Sequence, residues 1–204
     1  MWHELDLNSE FFSFLLEIDR QLAEAMRTEG CGCGGLLHRA NYPRKPRGAK
    51  RQIGRAYEWR FSFCCNRRGC RKRHTPMSVR FLGRRVYVAA VVVLACVRAQ
   101  IKLVAAVAET SEPDRQQPTT KMPAPLVPRR TLIRWRKWWQ TGFIASALYA
   151  AARARFVSPV CTEQLPSSLL ERFSGTAADK LKATLKFLSP LSTRSYRSSL
   201  PMVE

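Results

Sequence analysis

Five of the seven cysteines lie close together in the first half of the chain, in a pattern typical of a structural metal site. Cys31 and Cys33 stand in the run CGCGG, and Cys64, Cys65 and Cys70 stand in CCNRRGC. Two close pairs separated by about thirty residues fit a site in which four thiolates surround a zinc ion tetrahedrally. A segment with little apolar content of its own gains folding energy from such an ion. The sequence therefore predicts bound zinc.

Both cysteine spacings depart from the usual Cys-x-x-Cys, so the spacing alone does not decide which side chains bind the metal. Cys64 remains an alternative to Cys65, because strand geometry alone does not decide which of the two side chains points at the metal. His38 and His74 are fallback ligands, although a histidine beside arginine is also typical of a phosphate or surface contact. The preferred ligands are Cys31, Cys33, Cys65 and Cys70.

The charge of the chain is strongly positive and unevenly distributed. There are 35 Lys and Arg against 15 Asp and Glu, a formal net charge of +20, although the first thirty residues are acidic. The excess falls mostly in two blocks, residues 39–85 and residues 129–155. Such density repels itself unless a polyanion binds, and the expected partner is nucleic acid, with double-stranded DNA preferred. The alternative is a basic surface that is only solvated.

The first basic block surrounds the predicted metal site, so the metal would fix the loops that carry it. The residues predicted to contact phosphates there are Arg39, Arg44, Lys45, Arg47, Arg67, Arg68, Arg71, Lys72 and Arg73.

The second block contains a helix with two chemically different faces, VPRRTLIRWRKWWQ at residues 127–140. At about 100° per residue, Leu132, Trp135 and Trp139 share one sector, while Arg130, Arg134 and Lys137 take the opposite side. A recognition helix needs this division, because one face packs on its own domain and the other enters a groove. The alternative is an ordinary amphipathic helix whose tryptophans fill a core.

The remaining elements follow from periodicity and from turn residues. An acidic amphipathic helix is predicted at residues 8–27, and its apolar stripe either packs on the chain, forms a homodimer or screens the basic surface. Residues 57–63 read as a strand, and residues 84–108 favour a buried helix over a strand. The predicted fold class is α+β, with short antiparallel strands around the cysteines followed by a mostly helical region. The resemblance given below implies that the strands form a small zinc ribbon and that a helix-turn-helix-like segment follows. We divide the chain into an acidic helix (1–30), a zinc ribbon (31–85), a buried helix (86–108), a proline-rich linker (109–128), a basic helix-turn-helix-like segment (129–160) and a helical C-terminal region with a frayed tail from residue 189 (161–204).

Neither a membrane protein nor an enzyme is expected. The longest apolar run, residues 86–97, is shorter than the roughly 18 residues that span a bilayer, and the acidic N-terminus does not resemble a signal peptide. Few acids follow residue 30, and none forms a carboxylate set that would hold two Mg²⁺ ions. The expected location is the cytoplasm, in association with the nucleoid.

Two stretches carry a resemblance to known proteins. CGCGGLLHRANYPRKPRG, followed by RFSFCCNRRGCRKRHTPMSVRFLGRRVYVAAVVV, resembles the zinc ribbon at the N-terminus of some insertion-sequence transposases and of related uncharacterised bacterial proteins. The segment at residues 129–135 is similar to the R-x-T-L-x-R-W second helix of transposase helix-turn-helix modules. The resemblance implies a protein related to the DNA-reading part of a transposase.

Two further functions remain open from the sequence. Aromatic residues interleaved with arginine, such as Tyr42, Tyr57 and Trp59, would let an RNA-binding module stack unpaired bases. A protein-interaction adaptor would instead use the ribbon as scaffold and the acidic helix as its binding element.

Overall fold

The computed structural model describes residues 5, 7–44, 46–48, 54–83, 87–109 and 127–193, with the backbone alone for residues 102–109. After a first long helix, short strands occur between residues 37 and 74, and helices dominate the rest. The described elements are α1 (Ser9–Glu29), β1 (Leu37–Arg39), β2 (Tyr42–Pro43), β3 (Trp59–Arg60), β4 (Phe63–Cys65), β5 (Arg73–His74), α2 (Ala89–Glu109), α3 (Arg129–Trp138), α4 (Ala147–Ala152), α5 (Ser167–Leu170) and α6 (Ala177–Leu188).

The strands form two small antiparallel sheets. One has the order β1-β4-β5, with Leu37 opposite Cys65 and Phe63 opposite His74. The other pairs β2 with β3, so that Tyr42 lies opposite Arg60. Short antiparallel strands followed by helices confirm the predicted α+β class.

The first helix begins and ends at residues that the sequence marks. The Asn8 side chain accepts a hydrogen bond from the Phe11 amide at 2.9 Å, which satisfies one free donor of the first turn. Gly30 ends the helix with φ of +80°, a conformation that residues with a Cβ rarely adopt. The buried residues of α1, among them Phe12 and Leu15, pack into the main core of the chain.

The strand predicted at residues 57–63 is wrong. A 3₁₀ turn at Arg55–Glu58 precedes β3, and β4 begins only at Phe63. Tyr57 is buried against the Phe12 ring, with centroids 5.2 Å apart, whereas Trp59 is 44% exposed. These aromatic side chains therefore lie in different surroundings, and they do not share one face of a strand.

The apolar segment after the ribbon is a helix, α2, as its length predicts. Val92, Val93 and Val97 are all fully buried in its first half, so burial on several sides of the helix explains why the β-branched residues show no strand alternation. Within the described ranges, no helix combines the length and the apolar character needed to cross a bilayer.

The second half packs short helices against α2. The chain continues from α3 into a π-helical turn at Trp139–Phe143, and α6 begins with a capping box between Thr176 and Asp179. The prediction that the tail frays from residue 189 is wrong for residues 189–193: Ser189 is buried, and the Ser192 hydroxyl accepts from the Ser78 amide at 2.8 Å. Residues 194–204 and most of the predicted linker, 110–126, lie outside the described residues.

Candidate metal centre and basic surfaces

Four thiols converge where the turn after α1 meets the end of β4. The sulfur atoms of Cys31, Cys33, Cys65 and Cys70 all lie within 4.8 Å of one another, the one such group in the described part of the chain. The Sγ atoms of Cys31 and Cys70 are 3.7 Å apart, and those of Cys33 and Cys65 are 3.5 Å apart. The preferred set of four cysteines is therefore brought together.

The spacing of the sulfurs fits a tetrahedral metal better than disulfides. Zinc–sulfur bonds of about 2.3 Å place neighbouring sulfurs of a tetrahedron about 3.8 Å apart. A disulfide needs about 2.05 Å, and all the cysteines that the structure describes are free thiols. Four sulfurs in tetrahedral arrangement suit zinc or iron.

The backbone beside the thiols leaves no room for a larger residue. A Cβ at Gly35 would lie 2.5 Å from the Cys65 sulfur and 3.3 Å from the Cys33 sulfur. The turn is closed by a hydrogen bond from the Cys31 amide to the Gly35 carbonyl at 3.1 Å. Glycine at this position lets the chain approach the cluster closely.

Two of the thiols have strongly shifted pKa values of opposite direction. A backbone hydrogen bond with Gly35, helped by the Cys65 thiol, lowers the pKa of Cys33 to about 6. A backbone hydrogen bond with Arg67 lowers the pKa of Cys65, but desolvation and the neighbouring thiols outweigh it and raise the value to about 12. A bound metal would hold the coordinating thiols as thiolates.

The strand geometry also separates Cys65 from Cys64. Cys65 is fully buried in the cluster, whereas the Cys64 thiol points to the other side of β4 and donates to the Arg71 carbonyl at 3.4 Å. His38 is exposed. In the β1–β4 register it lies opposite Cys64, on the side of the sheet away from the cluster. His74 is closer, with its Nε2 3.3 Å from the Cys31 sulfur, which places it as a hydrogen-bond partner of a ligand.

A buried ion pair that the sequence reading missed attaches α1 to the ribbon. The Nε of Arg80 donates to an Asp19 carboxylate oxygen at 2.7 Å, and both side chains are fully buried. The Ser78 hydroxyl and the Val79 amide donate to the same carboxylate. Arg80 also donates to the Tyr57 carbonyl at 2.7 Å. Asp19 lies beside the apolar stripe of the helix. An acidic residue at this position could have indicated a buried carboxylate that needs a cationic partner.

Most of the predicted basic residues of the ribbon are exposed. Arg67 is exposed but donates a hydrogen bond to the Cys33 carbonyl, so it also braces the metal cluster. Arg44 is partly buried, donates to the Gly83 carbonyl at 3.1 Å and stacks over Phe81, so its guanidinium is engaged within the fold. Lys45 lies outside the described residues. The exposed members are Arg39, Arg47, Arg67, Arg68, Arg71, Lys72 and Arg73.

The two faces of α3 are separated as its periodicity predicts. Trp135 and Trp139 are buried, and Trp135 meets the Tyr87 ring edge-on with centroids 5.0 Å apart. The predicted groove contacts Arg130, Arg134 and Lys137 are exposed. The preceding helix α2 is separated from α3 by residues 110–128, a connection much longer than the three or four residues of a helix-turn-helix.

The apolar stripe of α1 is used within the chain. Phe11 and Leu15 are buried in the main core, and Phe14 is 42% exposed with the Lys182 ammonium 4.7 Å from its ring centroid. Phe11 and Leu15 are therefore not available as a dimer interface, whereas Phe14 keeps part of its ring exposed.

The fold and site together define a class: an α+β protein with a four-cysteine cluster of the kind that holds a metal, next to exposed basic residues. None of the family models, characterised proteins or solved structures compared with the chain matches it.

Proposed function

We propose that this chain is a zinc-stabilised, non-catalytic protein that binds double-stranded DNA at the bacterial nucleoid and is related to the DNA-reading part of a transposase. One observation carries the proposal: exposed arginines and lysines stand on the loops that the four-cysteine cluster ties together. Arg67, Arg68 and Arg71 lie in or beside the turn that holds Cys70. Zinc bound there would hold these cations in place for phosphates.

The cations can neutralise phosphates because they are solvent-facing and few carboxylates compete for them. The described ion pairs join Asp or Glu to Arg20, Arg27, Arg80, Lys180 and Lys182, none of which is among the exposed residues of the predicted contact set. Each phosphate neutralised on B-DNA contributes about −0.9 to the slope of log affinity against log salt.

Duplex DNA is favoured over unpaired RNA by the burial of the aromatic residues. Base stacking requires exposed rings. Tyr57 and Phe63 are buried, and the Tyr42 ring is partly buried with the Arg73 guanidinium over it at 5.9 Å. Phe61 is partly buried as well, so Trp59, at 44%, is the one exposed ring among the five aromatic residues at positions 42, 57, 59, 61 and 63.

The experiment combines metal analysis with binding measurements on the full chain. We expect one equivalent of zinc in purified protein, and duplex affinity that falls steeply between about 50 and 200 mM salt. Single-stranded RNA of the same length serves as competitor. Less than half an equivalent of metal would reject the zinc site, a flat salt dependence would reject phosphate binding, and stronger competition by RNA would favour the RNA-binding alternative.

A further inference from the structure

The three-stranded sheet turns one face toward the metal cluster. Leu37 and Cys65, which lie opposite each other in the pairing of β1 with β4, are buried in a small core with the cluster and α1. The adjacent pair is His38 with Cys64, and Cys64 also lies opposite Arg73 of β5. Directly paired residues share a face of a sheet, whereas consecutive residues of a strand point to opposite faces. His38, Cys64 and Arg73 therefore form one row across the face that points away from the cluster.

Two further residues extend this face beyond the β1–β4 ladder. The Leu36 amide donates to the side-chain carbonyl of Asn66 at 3.0 Å, and the Asn66 amide donates to the Leu36 carbonyl at 3.0 Å. These bonds place the two residues opposite each other. Leu36 is two positions from His38, and Asn66 is two positions from Cys64, so both lie on the same face as that row. We name this set the outer face: Leu36, His38, Cys64, Asn66 and Arg73.

The outer face is open to solvent. His38, Asn66 and Arg73 are exposed, and Leu36 keeps 69% of its surface exposed. Cys64, at the centre of the row, is partly buried. A ligand therefore has access to side chains of all three strands at once.

The composition of the outer face differs from that of the connection between β4 and β5. This connection carries exposed cations that suit phosphates, namely Arg67, Arg68, Arg71 and Lys72. The outer face offers an imidazole, an amide, an aliphatic side chain and a single guanidinium, that of Arg73, which lies 5.9 Å from the centroid of the Tyr42 ring. Amide and guanidinium groups hydrogen-bond to base edges in the major groove, and apolar groups contact the thymine methyl. The outer face thus carries residue types that distinguish base pairs.

The width of the sheet matches the major groove. Three strands about 4.8 Å apart place the outer two backbones about 10 Å from each other. The major groove of B-DNA is about 12 Å wide, and it admits an α-helix whose diameter with side chains is about 10–12 Å. The minor groove, about 6 Å wide, is too narrow for three strands.

We infer that the outer face enters the major groove of duplex DNA and distinguishes base pairs there, with the Arg73 guanidinium on the O6 and N7 acceptors of guanine. The cations of the β4–β5 connection contact the phosphates beside the groove. This inference rests on the proposed function and deepens it, because a chain that binds only phosphates would satisfy that function without preferring any sequence.

The test separates base recognition from phosphate binding. A random duplex library first selects the sequence that the zinc-bound full chain prefers. For each variant we then measure the ratio of the affinities for the preferred and a scrambled duplex, and the slope of log affinity against log salt. Arg73→Lys keeps the charge but loses the planar fork of donors that matches guanine, so the ratio should fall at least about fivefold at an unchanged slope. Arg68→Lys, at an exposed residue of the β4–β5 connection, is the matched control and should change neither quantity.

Two further measurements keep the result interpretable if the lysine disturbs the fold or still reaches guanine. His38→Ala, in the same row as Arg73, leaves every arginine and lysine in place and should lower the ratio without changing the slope. A preferred duplex made with 7-deazaguanine lacks the N7 acceptor in the major groove, and the wild-type chain should bind it at least about fivefold more weakly. The zinc content of each variant checks that it remains folded.

Three outcomes would overturn the inference while leaving duplex binding intact. They are the absence of any preferred sequence, equal affinity for the 7-deazaguanine duplex, and a ratio that falls in Arg134→Lys but in neither Arg73→Lys nor His38→Ala. The last of these would assign base recognition to α3. Wild-type protein that binds no duplex would instead reject the proposed function itself.

Discussion

The sulfur atoms of Cys33 and Cys65 lie 3.5 Å apart although the two residues are separated by 32 positions in the chain. Pairing of β1 with β4 produces this approach, since Leu37 lies opposite Cys65 and the Cys33 turn directly precedes β1. The register of one short antiparallel ladder thus decides which thiols can share a metal. A shift by one residue would exchange Cys65 for Cys64.

Replacing one thiol of the cluster should remove the metal. In Cys65→Ser we expect zinc to fall from one equivalent to less than half, because a hydroxyl is a poor substitute for a thiolate ligand. Cys64→Ser is the matched control, since its thiol bonds to the Arg71 carbonyl on the opposite side of the strand. Metal analysis after gel filtration measures both; equal loss in the two variants would contradict the assignment of Cys65 as the ligand.

The close approach of Gly35 predicts sensitivity to a single added methyl group. Gly35→Ala places a Cβ 2.5 Å from the Cys65 sulfur, so the turn must shift and the metal should bind at least about tenfold more weakly. Gly32→Ala provides the comparison, because no atom lies within 4 Å of its Cβ position. Competition with a chromophoric chelator reports the affinity, and similar values for the two variants would argue against close contact at Gly35.

Loss of the buried carboxylate of α1 should destabilise the fold strongly. Asp19→Ala leaves the Arg80 guanidinium buried without its charge partner, and such losses cost about 3–5 kcal/mol. Glu17→Ala breaks the exposed pair with Arg20 and should cost less than about 1 kcal/mol. Denaturant unfolding of the zinc-bound protein measures both changes. A small effect at Asp19 would mean that α1 is held by its apolar contacts alone.

The buried face of α3 should contribute to stability and its exposed face should not. Trp139 is fully buried beside Phe143, with ring centroids 5.1 Å apart, so Trp139→Ala should lower the free energy of unfolding by about 3–5 kcal/mol. Ile133 is 54% exposed on the same helix, and Ile133→Ala should change it by no more than about 0.5 kcal/mol. The same denaturant titration compares the two variants. A larger loss of stability for Ile133→Ala than for Trp139→Ala would contradict the orientation assigned to α3.

Features that depend on neighbouring residues could be predicted from the sequence. The sequence offers Asn8 or Ser9 as the cap of α1 and Gly30 as its end, and the structure uses Asn8 and Gly30. The faces of α3 follow from helical periodicity. The clustering of the cysteines and the excess of positive charge could also be predicted, because both follow directly from composition and local spacing. These properties rest on short-range sterics, hydrogen bonding and the 3.6-residue repeat.

Features that depend on burial and strand register required the tertiary structure. Cys65 differs from Cys64 only in the face of β4 that it occupies, and Arg44 differs from the exposed Arg47 only in what packs beside it. In the sequence, Arg80 is one of many cations in a basic block. In the structure it pairs in the core with Asp19, which is 61 positions away in the chain. Amino-acid type and local spacing determined the chemistry this chain carries. Long-range packing decided which side chains face the metal, the core or the solvent, because burial arises only when distant segments meet.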